Sequence, residues 1–169
     1  MSNCVTAVSS LVILVALSTA QCANYLGVTG DVFILKAQPD YWLAKTAKDK
    51  VDAAIKLYKT GGMSAVIAAY GASNTSTSYL TVQNENGFYL LGNPKLGEMK
   101  KGANAKSVIL SGDSTAQYQP VWQAALKKPI WVHINWINPS TMKVQPAVFY
   151  VKIYDHLMFS SGFYEEGLL

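Results

Sequence analysis

From Asp40 onward, apolar residues recur at Leu43, Ala47, Val51, Ala54, Ile55 and Tyr58, with lysines and aspartates between them. This is the 3.6-residue period of a helix that buries one face, and Gly61-Gly62 is where such a helix should stop. A shorter segment, Met63 to Tyr70, carries Met63, Val66, Ile67 and Tyr70 on one side and predicts a second helix. Gly71 to Ser78 is polar and reads as a loop. Beyond it the period changes to two. Tyr79 to Gln83 and Gly87 to Leu91 flank Asn84-Glu85-Asn86, and the Asn86-Gly87 dipeptide favours a tight turn, so the pair predicts a β-hairpin. Asn93 to Val108, rich in Gly, Lys and Pro, is a long connection. Tyr118 to Lys128 predicts a helix with Pro120 in its first turn and Pro129 beyond its end. Three strands follow: Ile130 to Ile137, Ala147 to Tyr154 and Leu157 to Tyr164. The first two are joined through Asn138-Pro139-Ser140-Thr141, and the last two turn at Asp155-His156. Helices first and meandering antiparallel strands afterwards define an α+β domain, its helices segregated to one side of the sheet.

The N-terminal residues break this pattern. An apolar run from Val5 to Leu17 is too short to cross a hydrocarbon core comfortably, and Ser18-Thr19-Ala20 puts small residues where a signal peptidase cuts. Residues 1–20 therefore read as a signal peptide, although no Lys or Arg precedes the apolar run. Residues 21–39 read as a lead-in and residues 40–166 as one domain. The expected destination is secreted or extracellular, which in a bacterium means the periplasm. No later stretch approaches eighteen consecutive apolar residues, so no transmembrane segment is expected after signal removal. Cleavage would take away Cys4 and leave Cys22 alone, which excludes a disulfide framework and a CxxC metal site.

Charge narrows the partners. The net charge of +4 comes from fourteen lysines against ten acids, without one arginine. Arginine supplies the fork that reads guanine and the plane that stacks on bases, so nucleic acid is not an expected partner. Scattered lysines give a mildly basic surface suited to an anionic surface or a partner protein. Asn74-Thr75-Ser76 is an N-glycosylation sequon, which makes Asn74 a candidate modification site.

An enzyme needs a nucleophile and base, or a metal set. The chain has two histidines, His133 and His156, and no HExxH, GxSxG or glycine-rich phosphate cradle. Neither a catalytic site, a metal site nor a cofactor is expected. Binding has better material. Trp136 shares a strand face with Ile134 and Val132, while Tyr150, Lys152 and Tyr154 share a face of the next strand. An indole wall, a phenol and an ammonium together suit a small carboxylate. Spacing alone slightly favours a Trp136 that fills a core and a Lys152 on the surface of an edge strand. His133, which alternates with Trp131 and Asn135, is a further candidate contact.

Four landmarks, Asn93-Pro94-x-Leu96, Trp136-x-Asn138-Pro139, Tyr150-Val151-Lys152 and Gly162-x-Tyr164, stand in an order that resembles the single Cache domain. That family supplies the extracellular sensing module of bacterial chemoreceptors and sensor kinases, and it also occurs in stand-alone secreted forms. The likeness runs from Asp40 to Glu166. It implies a long N-terminal helix beside a PAS-like antiparallel sheet of about five strands, with a small ligand such as an organic acid or amino acid held between the sheet and its covering loops. It also implies that Trp136, Tyr150, Lys152, Ile134, His133 and Asn93 lie at or near the pocket. The family strand before the Trp-x-Asn-Pro turn often carries an acid and then a tyrosine, where this chain has His133 and Ile134. A receptor form needs transmembrane helices and an output module, so the resemblance points to the stand-alone form. The expected function is a secreted small-molecule binding domain, a sensor or carrier. The alternative is a structural or protein-interaction module that keeps the fold with its pocket filled.

Overall fold

A computed structural model describes residues 25–29, 32–40, 42–74, 77–96, 101–104 and 114–165. Residues 1–20, expected to be a signal peptide, both cysteines and parts of the Asn93 to Val108 connection lie outside these residues. The first helix, α1, runs over Trp42–Tyr70 as one element with a kink at Gly62, whose φ of 63° and ψ of −165° are not helical. The two helices expected on either side of Gly61-Gly62 are thus joined through a residue that takes a positive φ without steric cost. Small buried residues, Ala44, Ala47, Val51 and Ala54, line the inner face of α1 and allow it to lie close on the sheet.

The sheet has seven strands: β1 (Tyr25–Thr29), β2 (Val32–Leu35), β3 (Leu80–Asn84), β4 (Tyr89–Leu91), β5 (Ile130–Asn138), β6 (Lys143–Tyr154) and β7 (Leu157–Tyr164). Their order is β1-β2-β5-β6-β7-β3-β4, and every pairing is antiparallel. The expectation of about five strands is therefore too low. The excess comes from the lead-in, where β1 and β2 form a hairpin whose second strand pairs with β5. A second helix, α2, spans Ser114–Lys127 and so begins a turn earlier than expected, which puts Pro120 inside it rather than in its first turn. One intrahelical hydrogen bond is lost there.

The expected turns form, and side chains hold them. Asn84 Oδ1 accepts hydrogen bonds from the backbone N–H groups of Asn86 and Phe88, and Gly87 takes a φ of 86°. Asn138 Oδ1 accepts from Ser140 N, while its Nδ2 donates to Gln145 Oε1 at 2.6 Å. Asp155 and His156 both adopt positive φ, as a two-residue hairpin turn requires.

The core is split by the sheet. On one side α1 packs on β7, β6 and β3, burying Val82, Trp131, Val148 and Phe159. On the other, α2 lies over β5 and β6, so the two helices cover opposite faces instead of the single side expected. Ile55 is 5% exposed in the α1 layer, whereas Lys56 is exposed. Ile55→Ala should cost about 2–5 kcal/mol in denaturant unfolding. Lys56→Ala should stay within about 0.5 kcal/mol.

Candidate functional site

The sheet face turned away from α1 is aromatic. Tyr79, Phe149 and Tyr164 are buried there together with Trp122 of α2, and Ile134 and Trp136 pack against them partly buried. Tyr79 and Phe149 meet edge to face, their ring centroids 6.2 Å apart. Gly162, opposite Phe149 on β7, makes this contact possible, since a Cβ there would lie 2.6 Å from Phe149 Cδ1 and 2.3 Å from the Val148 carbonyl oxygen.

Three polar groups gather at one end of this face. Burial pushes the Tyr164 phenol up to about 12, with the Tyr79 hydroxyl opposing the shift. Burial first, and then the neighbouring Tyr164, push Tyr79 well above its ordinary value. Both phenols are therefore neutral at physiological pH. The Tyr164 hydroxyl donates to the Ile137 carbonyl at 2.5 Å, which leaves its oxygen as the acceptor of the 3.4 Å contact with the Tyr79 hydroxyl. The third group is the Trp136 indole N–H. It lies near enough to the Tyr79 oxygen to favour the phenolate slightly, yet without the geometry of a hydrogen bond. Trp136 Nε1 is thus buried and unpartnered while the ring itself stays partly exposed.

The residues expected to form a carboxylate clamp do not come together. Residues directly opposite in an antiparallel pair share a face, and Ile134 stands opposite Ala147, Trp136 opposite Gln145. Trp136 and Ile134 therefore share a face with Ala147 and Phe149, whereas Tyr150 and Lys152 point to the other side. Tyr150 packs in the α1 layer against Trp131. Lys152 Nζ donates to Asp52 Oδ1 of α1 at 2.7 Å. Burial disfavours ionisation of Asp52, but hydrogen bonds and charge from Lys152 and Lys48 outweigh it and hold the carboxyl below its usual range. His133 also lies off the aromatic face, with Nε2 3.3 Å from Glu165 Oε2 and its ring against Phe33. Asn93 is fully buried and structural: its side chain accepts from Lys95 N and its carbonyl from Leu96 N, forming the turn that delivers Leu96 to the aromatic cluster. Asn74, the candidate glycosylation site, is 3% exposed and donates both amide hydrogens to backbone carbonyls, so the folded domain offers no free acceptor amide there.

Sequence reasoning missed Tyr79, Trp122, Phe149 and Tyr164 as members of this face. Tyr164 stood in a landmark, and Tyr79 opened a strand of period two, but no local pattern says which face of a strand meets α1. Among the described residues, no three His, Cys, Asp or Glu side chains gather to hold a metal ion, and no helix is long and apolar enough to cross a membrane.

No protein-family model matches the sequence, and no curated protein matches it. Solved structures do. A methyl-accepting chemotaxis protein from Vibrio parahaemolyticus is similar at 17% identity and a TM-score of 0.54, over 74% of this chain and 90% of that one. The periplasmic sensor domain of a chemotaxis protein is similar at 15% identity and a TM-score of 0.51, over 71% and 88%. A Cache chemosensory domain described as recognising carboxylic acids is similar at 16% identity and a TM-score of 0.50, over 71% and 86%. At such identities the likeness shows the fold, which is that of the Cache, PAS-like sensor domains.

The raised phenols give a direct check on the site. A neutral form favoured by folding contributes stability that is complete below the ordinary pKa of 10.0 and is lost as pH rises through the folded value of about 12. Ultraviolet titration of the folded protein should therefore show late-ionising tyrosines. Tyr164→Phe should remove one of them, and unchanged late absorbance in that variant would show that its phenol is not buried.

Proposed function

We propose that the aromatic face opposite α1 binds a small molecule, in a sensor or carrier domain that acts outside the cytoplasm. The observation that carries this reading is the buried Trp136 N–H without a partner. A buried donor left unpaired costs about 1–3 kcal/mol, and a ligand offering an acceptor beside the Tyr79 and Tyr164 hydroxyls would remove that cost. The fold supports the reading, and so does the apolar wall of aromatic rings around the donor. For the ligand we propose a small organic acid or similar metabolite, on the analogy of the similar Cache domain described as recognising carboxylic acids. Neutral donors would meet it on this face, because Lys152 is held by Asp52 on the other. Likeness to a periplasmic sensor domain supports an extracellular or periplasmic place, as does the signal-like pattern of residues 1–20. The binding unit comprises residues 40–166 with the β1–β2 hairpin, and we assign it no catalytic role.

The Tyr79–Phe149 contact favours a second reading, a protein-interaction module whose face is closed by its own rings. Mass spectrometry of small molecules released from the natively purified protein, with calorimetric titration of those found and of a panel of small carboxylic acids, separates the two. Trp136→Phe should weaken binding about three- to tenfold, the loss of one hydrogen bond, while Lys152→Met should leave it within about twofold. Equal losses in both variants would put the ligand elsewhere. Neither a released molecule nor a binding acid would leave the interaction reading.

A further inference from the structure

Asn74 lies outside the aromatic face, yet the three hydrogen bonds of its amide go to two segments that shape that face. Its Nδ2 donates to the carbonyls of Leu80 and Gly92, each at 2.8 Å, and its Oδ1 accepts from Leu80 N at 2.7 Å. Leu80 follows Tyr79, and Gly92 precedes the Asn93 turn that delivers Leu96. One buried side chain therefore ties the start of β3 to the exit of β4. No shorter or acidic side chain can do this, because two donors and one acceptor are needed in one plane. A glycan on Nδ2 would replace one of those donors and would need room that a residue 3% exposed does not have.

We propose that Asn74 is a positioning residue, holding Tyr79 and the Asn93 to Leu96 turn in place relative to each other, and that the Asn74-Thr75-Ser76 sequon carries no glycan in the native domain. Only the identity of the face as a binding site rests on the function proposed above. The test needs no ligand, so its failure and that of the binding reading are separable.

Asn74→Asp keeps the acceptor and, at neutral pH, has no donor. Its carboxylate would lie against two carbonyl oxygens, which raises its pKa above the ordinary value of about 3.9. The protonated form regains one donor, so the stability lost at neutral pH should return as pH falls through that raised pKa towards the ordinary value. Hydrogen exchange at pH 7, corrected for intrinsic rates, should quicken about ten- to a hundredfold in residues 79–84 and 92–96 and stay unchanged in the β5–β6 hairpin. Acidification to about pH 4 should slow it again. Exchange that quickens throughout the domain, or nowhere, overturns the positioning role, as does failure to recover at about pH 4. If the variant does not fold at pH 7, recovery of its far-ultraviolet circular dichroism at about pH 4 supports the proposal and its absence overturns it. Secreted from a glycosylating host, the folded wild type should show the intact mass of the bare polypeptide, and Ser76→Ala should differ from it by the substitution alone. A glycan on Asn74 in protein of unchanged melting temperature overturns the second half.

Discussion

Strand β6 is paired with β5 over residues 143–151 and with β7 over residues 147–154, and a slip of one residue in either pairing would exchange the two faces of the sheet. Everything about the candidate site depends on that register. Devices at both ends of β6 fix it. At one end Asn138 bonds Gln145 across the turn, and the Asn138 carbonyl accepts from Met142 N. At the other, the two-residue turn at Asp155 and His156 allows no spare residue, and the Tyr58 hydroxyl of α1 donates to Asp155 Oδ2 at 2.8 Å. Between them Gly162 admits Phe149 on one face only. A slipped register would drive a side chain into the Val148 carbonyl.

With the register set, the two faces divide the chemistry. The α1 side holds the ionic ties: Asp52 lies between Lys48 and Lys152, and Lys50 Nζ donates to the Ser78 carbonyl. These groups are partly solvated, so each pair adds at most about 1 kcal/mol. Their value is positional, since they fix where α1 crosses β6 and β3. The opposite side has a different stock. The polar atoms named there are phenol hydroxyls and an indole N–H, all neutral at physiological pH, set among aromatic and aliphatic groups.

The elements were legible in the sequence because each rests on local periodicity. Leu43 to Tyr58 repeats at 3.6 residues, Tyr79 to Leu91 and Ile130 to Tyr164 alternate, and Asn86-Gly87 and Asp155-His156 mark their turns. The pairing of faces was not legible. Alternation within β5 groups Trp136 with Ile134, and alternation within β6 groups Tyr150 with Lys152, but nothing local says whether the two groups share a side. That depends on the length of the turn at Asn138 to Met142, where one residue more or less reverses the answer. The lead-in strands escaped notice for a related reason: β2 is four residues long, and it joins the sheet only by docking on β5, a partner about a hundred positions away. Asn74 read as a sequon because a motif records residue types. Its burial comes from Leu80 and Gly92, which the motif does not contain.

Trp136 itself is held on two sides. Its cross-strand partner Gln145 is engaged by Asn138 at 2.6 Å and by Thr141 Oγ1 at 3.3 Å. The carbonyl of the next residue, Ile137, is taken by the Tyr164 hydroxyl. Those bonds fix the backbone that carries the indole while leaving its own N–H unpaired. A donor held still by neighbours whose bonds are already made loses little conformational freedom when an acceptor arrives, so most of the hydrogen-bond energy would appear as affinity. A core position would gain from phenylalanine, which fills much of the same space without a polar atom to satisfy. The unpaired N–H is therefore a local cost that the fold tolerates, and on the proposed reading the ligand is what removes it.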